Sequence, residues 1–150
     1  MSEGDKRTIT DKIFELKDEY MALKSEIDFT DELDPMMYPE LLRIRKELSC
    51  LSIDLAKETS KYVRESIRLE GLIELNRYKE QTRRISVGEK IGSAEAAARS
   101  IDETEKQSYT LNKGLAKTGE MILKQVNEIL FSLRQEISIF KKEYESFANS

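Results

Sequence analysis

Residues 76–90 read NRYKEQTRRISVGEK and carry five basic residues, Arg77, Lys79, Arg83, Arg84 and Lys90, in a chain whose net charge is −4. Guanidinium and ammonium groups at this density suit one chemistry above others. They neutralise successive phosphates and release the counterions that surround them. On a helix at ~100° per residue, Arg43, Lys57, Arg64, Arg68, Lys79 and Arg83 fall within about 60° of Lys61, so a basic stripe runs toward this stretch. Tyr78 lies beside the bend, where its ring is placed to stack on an unpaired base. Asp54 and Glu65 interrupt the stripe and Glu47 flanks it. Pairs such as Glu65 with Arg68 at i, i+3 therefore support a competing reading, a solvated face of compensated charges. Nothing in the pattern reads base edges, so any nucleic-acid binding is expected to be largely independent of sequence.

Other chemistries find little support. The chain has no histidine, which removes the usual general base and the commonest metal ligand. Its serines and threonines have no imidazole to activate them. Cys50 is the sole cysteine and sits beside a core position, so it is expected to be a half-buried, inert thiol. The run Gly88-Glu-Lys-Ile-Gly-Ser93 lacks the order of a phosphate loop, and no strand precedes it. Residues 28–39, DFTDELDPMMYP, space their acids loosely like a calcium loop but lack its glycine and final glutamate. The expectation is a protein that is not an enzyme and uses no cofactor or metal.

Long helices must carry the stripe. With 36% charged and 39% hydrophobic residues, two prolines and strong apolar periodicity, the 150 residues read as a single all-α domain of extended helices burying narrow seams. The first helix is expected at 9–27, with Ile9, Ile13, Leu16, Tyr20, Leu23 and Ile27 at heptad spacing and Thr8 or Thr10 as its cap. Residues 28–39 form a loop in which Pro35 and Pro39 stop the helix and Met36, Met37 and Tyr38 fold back. The second helix spans 40–83, with its seam at Leu41, Ile44, Leu48, Leu51, Leu55, Thr59, Tyr62, Ser66, Leu69 and Ile73. Ser86 with Glu89 fits a capping box, so a bend at 83–86 and a third helix at 86–147 follow. That bend makes helices two and three an antiparallel hairpin. The first helix then lies along the unpaired end of the third or folds back on the second, and the match in lengths favours the former. The third helix is polar at Glu105 and Asn112 and has Gly119 in its seam, so its middle packs least well, as a hinge or a register-setting layer would. Its last part carries a main seam, with Ile122, Val126, Ile129, Leu133 and Phe140, and a second stripe, Ala116, Leu123, Leu130, Ile137 and Tyr144. So broad an apolar surface needs more than one neighbour, which points to a homo-oligomer joined through Ile122, Leu123, Val126, Ile129, Leu130, Leu133, Ile137 and Phe140; the alternative is that the first helix alone covers it.

Charge is unevenly divided. Residues 1–40 hold 12 acidic and 5 basic residues (net −7), 41–100 hold 9 and 13 (net +4), and 101–150 hold 8 and 7 (net −1). A basic helix with an aromatic, YVRESIRLEGLIELNRYKEQTRR, is followed by a Ser/Ala-rich start, SVGEKIGSAEAAARSID, and by an amphipathic close, LKQVNEILFSLRQEISIFKKEYE. Over residues 41–147 this arrangement resembles the small helical recombination mediators of bacteriophages, the UvsY type. The resemblance implies single-stranded DNA binding by rings of helical subunits, with a recombinase and a single-strand-binding protein as partners. It also implies Arg64, Arg68, Arg77, Lys79, Arg83 and Arg84 as DNA contacts, beside which Lys61, Tyr78 and Lys90 complete the expected interface. The acidic residues 1–40 depart from the pattern.

The expected function is thus a non-catalytic, single-stranded-DNA-binding recombination accessory acting as a homo-oligomer. The alternative is a structural or adaptor coiled coil that docks a protein without nucleic acid. The start MSEGDKR has no apolar signal region, and no run approaches the ~20 apolar residues of a membrane span, so a soluble, cytoplasmic protein is expected.

Overall fold

The computed structural model describes residues 7–29, 34 and 36–149, apart from the side chains of Phe29, Tyr144 and Phe147. The expected roles of Pro35 and of the Tyr144 side chain therefore lie outside what is described. The chain is all-α, with helices α1 (Ile9–Phe29), α2 (Met37–Ser86), α3 (Ile91–Arg99) and α4 (Glu103–Ala148). No helix among the described residues is long and apolar enough to cross a membrane. Where one domain was expected, the chain divides into two compact units, Met1–Lys57 with Glu120–Ser150, and Glu58–Gly119. The long helices α2 and α4 each contribute to both.

The first unit holds the thick core. Thr8 caps α1: its hydroxyl accepts from the Asp11 N–H at 3.1 Å while the Asp11 carboxylate accepts from the Thr8 N–H at 3.2 Å. The α1 seam then buries Ile13, Leu16 and Tyr20 against Leu41, Ile44, Leu48 and Leu55 of α2 and Ile122, Val126, Ile129, Leu133, Ile137 and Phe140 of α4. Every one of the largest fully buried side chains belongs to this cluster, and each such burial contributes roughly 1.5–3 kcal/mol. The helix α1 touches both of its neighbours. Tyr20 bonds Ser132 of α4 at 2.6 Å, and Arg43 of α2 donates to Glu19. Both expected placements of the first helix therefore hold together. Met37 and Tyr38 pack on the core as anticipated, whereas Met36 stays exposed. Pro39 lies in the first turn of α2, where its missing N–H costs nothing.

This packing corrects the expected assembly surface. Ile122, Val126, Ile129, Leu133, Ile137 and Phe140 are buried inside one chain, and Leu123 and Leu130 are half-buried on the same cluster. Helices α1 and α2 supply the cover that other copies were expected to provide. A second correction concerns Cys50, which is exposed rather than half-buried.

The second unit is thinner. Its buried residues among those described are Leu69 and Ile73, the small Ala94, Ala98, Ala116 and Gly119, and one polar side chain, Thr59. Here the capping box expected to start a third helix at Ser86 does not form. The Glu89 N–H bonds the Arg84 carbonyl at 3.0 Å and the Gly88 N–H bonds that of Ile85 at 3.1 Å, with Gly88 at φ 95°. This is a Schellman termination, which a glycine in the left-handed region makes inexpensive. The Ser86 hydroxyl is used up inside α2, donating to the Arg83 carbonyl, and Lys90 stands at the N-cap of α3 without a side-chain cap.

The expected third helix at 86–147 is in fact two. The break falls at residues 100–102, where Asp102 adopts φ 64°. Aspartate tolerates that conformation better than most residues. Asp102 accepts from Asn76 Nδ2 at 3.2 Å, and its carbonyl starts α4 by accepting from the Lys106 N–H at 2.9 Å. The acidic first turn, Glu103 and Glu105, suits the helix dipole.

Candidate nucleic-acid interface

The 58–86 segment of α2 presents one face of about 120° opposite the buried Thr59, Leu69 and Ile73. On it lie Lys61, Arg64, Arg68 and Lys79, all exposed, interleaved with Ile67, Leu75 and Tyr78, which are 62%, 48% and 68% exposed. From Lys61 to Lys79 this track is roughly 27 Å long at 1.5 Å per residue. The second unit contains 12 basic and 10 acidic residues, net +2, against 13 and 19, net −6, in the rest of the chain.

Three of the eight expected cationic contacts are already engaged. Arg68 donates to Glu65 at 2.5 Å, and Arg83 to Glu80 at 2.7 Å. Arg84 bridges Glu80 at 2.8 Å and Glu89 at 2.9 Å. The Glu80 carboxyl is pulled down to about 2 by its hydrogen bonds from Arg83 and then Arg84. Glu65 is likewise lowered by Arg68. The arginines of the bend therefore compensate one shared carboxylate before they meet any ligand. At the far end of the stripe Arg43 is clamped by Glu19, Glu40 and Glu47.

Four of the expected contacts are free and exposed: Lys61, Arg64, Lys79 and Lys90. Arg77 is different. It is half-buried, and its Nε is enclosed without a hydrogen-bond partner, as is Oδ2 of Asp102 in the α3–α4 turn. The structure thus brings Lys61, Arg64, Arg68, Tyr78 and Lys79 onto one face, places Arg83, Arg84 and Lys90 around the Schellman turn, and leaves Arg77 inside. Sequence reasoning missed Glu80, although its positions three and four residues before the two arginines are the usual signal for helix ion pairs. Lys113, 5.5 Å from the centroid of the Tyr109 ring, adds a cation–π contact on α4.

Among the described residues no cluster of His, Cys, Asp and Glu could hold a metal ion. No protein-family model matches the chain, and neither a curated protein nor a solved structure matches it significantly. The likeness to the phage mediators rests on the residue pattern alone.

Proposed function

We propose that this chain is a non-catalytic binding protein for single-stranded DNA, acting as an accessory to recombination and as an assembly of copies. One observation carries the reading. Unpaired Lys61, Arg64 and Lys79 share an exposed helix face with Tyr78, so cations and an aromatic platform are offered together. Arg68 on that face and Arg83 at its border sit in partly exposed surface ion pairs, which a phosphate can open at modest cost because such pairs contribute little to stability. A recombinase and a single-strand-binding protein are the proposed partners.

Fluorescence anisotropy with a labelled single-stranded oligonucleotide, beside a duplex control, tests the reading. Three unpaired cations per chain give an expected slope of log affinity against log salt near −2, at about −0.7 per phosphate for single strands. Lys61→Glu with Lys79→Glu is expected to abolish binding while the helical signal persists. Absence of binding at low salt by a folded protein would refute it.

A second reading is favoured by Ile67, Leu75, Tyr78 and Ile85, which are 62%, 48%, 68% and 40% exposed on α2. An adaptor that docks a protein on this apolar stripe would expose it in the same way. It would be insensitive to the charge reversals and sensitive to Ile67→Ser.

A further inference from the structure

Helix α4 carries a second exposed surface, away from the seam it shares with α1 and α2. Phe131 is 61% exposed, and Leu123 keeps part of its side chain outside the core. A shallow cavity joins the two, lined by Glu120, Leu123, Lys124, Asn127, Glu128 and Phe131. The aromatic at its edge has no partner that accounts for its exposure. Large apolar side chains left open beside a concavity mark contact sites.

The residues of this face follow a palindromic order. Glu120, Leu123, Asn127, Phe131 and Arg134 are spaced 3, 4, 4 and 3. At ~100° per residue all five lie within an arc of about 80°. The spacing is symmetric about Asn127, and so is the chemistry: an acid stands opposite a base, and leucine stands opposite phenylalanine. Glu120, Asn127 and Arg134 are exposed, and among the described residues no ion pair engages either Glu120 or Arg134. Fourteen residues apart on one helix, these two lie about 21 Å from each other and cannot pair.

In an antiparallel pair of identical helices related by a two-fold axis, residues equidistant from the axis face each other. With the axis at Asn127, Glu120 meets the second copy's arginine at position 134 and Leu123 meets its phenylalanine at 131, each twice. The two central asparagines meet across the axis, where a polar pair fixes register at some cost in affinity. A two-fold interface must be self-complementary in this sense.

We infer that the Glu120–Arg134 face of α4 is a docking surface for a second copy of this chain, joined antiparallel about Asn127. This deepens the assembly part of the function proposed above and does not depend on its nucleic-acid part. One helix face of this length falls below the ~1,200 Å² of a standard interface, so the dimer is a weak one that forms at micromolar concentrations and above. Mutual approach of two DNA-binding units is what it would supply.

Charge exchange tests the inference without DNA. Sedimentation velocity over a micromolar concentration series should show the parent dimerising. Glu120→Arg alone and Arg134→Glu alone each place like charges opposite each other and should weaken the dimer at least tenfold. The double exchange, Glu120→Arg with Arg134→Glu, should restore it, which a merely structural role for either residue would not do. A second measurement stands apart from affinity: Asn127→Cys in a Cys50→Ser background should cross-link to a dimer on oxidation, whereas Met121→Cys in the same background should not. A chain that stays monomeric throughout, or an assembly unaffected by single reversals, would overturn the inference. Neither result would touch the anisotropy test, which uses Lys61 and Lys79.

Discussion

The close approach of α4 to α2 at Gly119 gives the sharpest prediction. A Cβ built on Gly119 of α4 would lie 2.2 Å from Oγ1 of Thr59 on α2 and 3.1 Å from both Cβ and Cγ2 of that residue. Thr59 is 5% exposed. Its side chain is β-branched and stiff at χ1, so rotation only exchanges one clashing group for another. Gly119→Ala gains about 1 kcal/mol of helix propensity. Against this stands an overpacking cost of typically 1–3 kcal/mol, and a contact this short belongs at or beyond the upper end. The expected net effect is a loss of about 1–2 kcal/mol, or a Tm lower by roughly 2–8 °C in a chain of this size. Gly114→Ala is the internal control: it lies on the same helix with nothing within 4 Å of the added atom. It should raise Tm by about 2–4 °C through propensity alone. Thermal unfolding followed by circular dichroism compares the two. Adding Thr59→Ala to Gly119→Ala should recover most of the loss, giving a coupling of at least ~0.5 kcal/mol in a double-mutant cycle. If Gly119→Ala is as stable as Gly114→Ala, or if the two substitutions simply add, the close approach is not there.

Other expectations follow from the ionisable groups. Burial pushes the Tyr20 phenol up to about 12; because its folded value exceeds its unfolded one, stability should be untouched below pH 10 and fall as pH rises from 10 to 12. Ultraviolet difference titration should show Tyr20 ionising late, beside Tyr62, which its hydrogen bond to Glu58 also raises, and Tyr20→Phe, which abolishes the bond to Ser132, should remove the Tyr20 part of that late titration and cost about 1 kcal/mol. Glu136 is also raised, first by burial, and its Oε2 has no hydrogen-bond partner. Its charged form therefore opposes folding, and that opposition grows as pH rises through its folded value. Glu136→Gln should be no less stable than the parent at pH 7 and should flatten stability above pH 4.5 in urea titrations; a clear loss at pH 7 would contradict this. Glu80→Gln releases Arg83 and leaves Arg84 paired with Glu89 alone, so single-strand affinity at low salt should rise. Its salt slope should steepen from about −2 toward about −2.8 in anisotropy, and an unchanged slope would mean that the bend does not touch DNA.

How far the sequence spoke can be seen helix by helix. The α1 seam and the α2 seam were legible because a buried stripe imposes a period, and Ile13, Leu16, Tyr20, Leu41, Ile44 and Leu48 keep it. The turn after α2 was located but assigned to the wrong device. Ser86 and Glu89 satisfy a capping pattern, yet Gly88 offers a left-handed residue where the last carbonyls need partners, and that termination prevails. The break at Asp102 was missed because heptad spacing continues through it in the sequence. The local signal was present, an aspartate before two glutamates, but spacing cannot tell a helix from two helices in phase.

That the chain is all-α, where its apolar seams lie, and that positive charge gathers around α2 and the bend can be read from the residues in order. These depend on the residue types within one or two turns, and local periodicity records them. Which surfaces remain available depends on how the helices pack. That packing enclosed Ile122, Val126, Leu133 and Phe140 within a single chain, because α1 and α2 both reach α4 there. It set Glu80 against Arg83 and Arg84, drew Arg77 inward, and left Lys61, Arg64, Lys79, Tyr78 and Phe131 exposed. Burial and charge pairing are properties of neighbours in space, and a helical period fixes the direction a side chain leaves its helix without fixing what it meets.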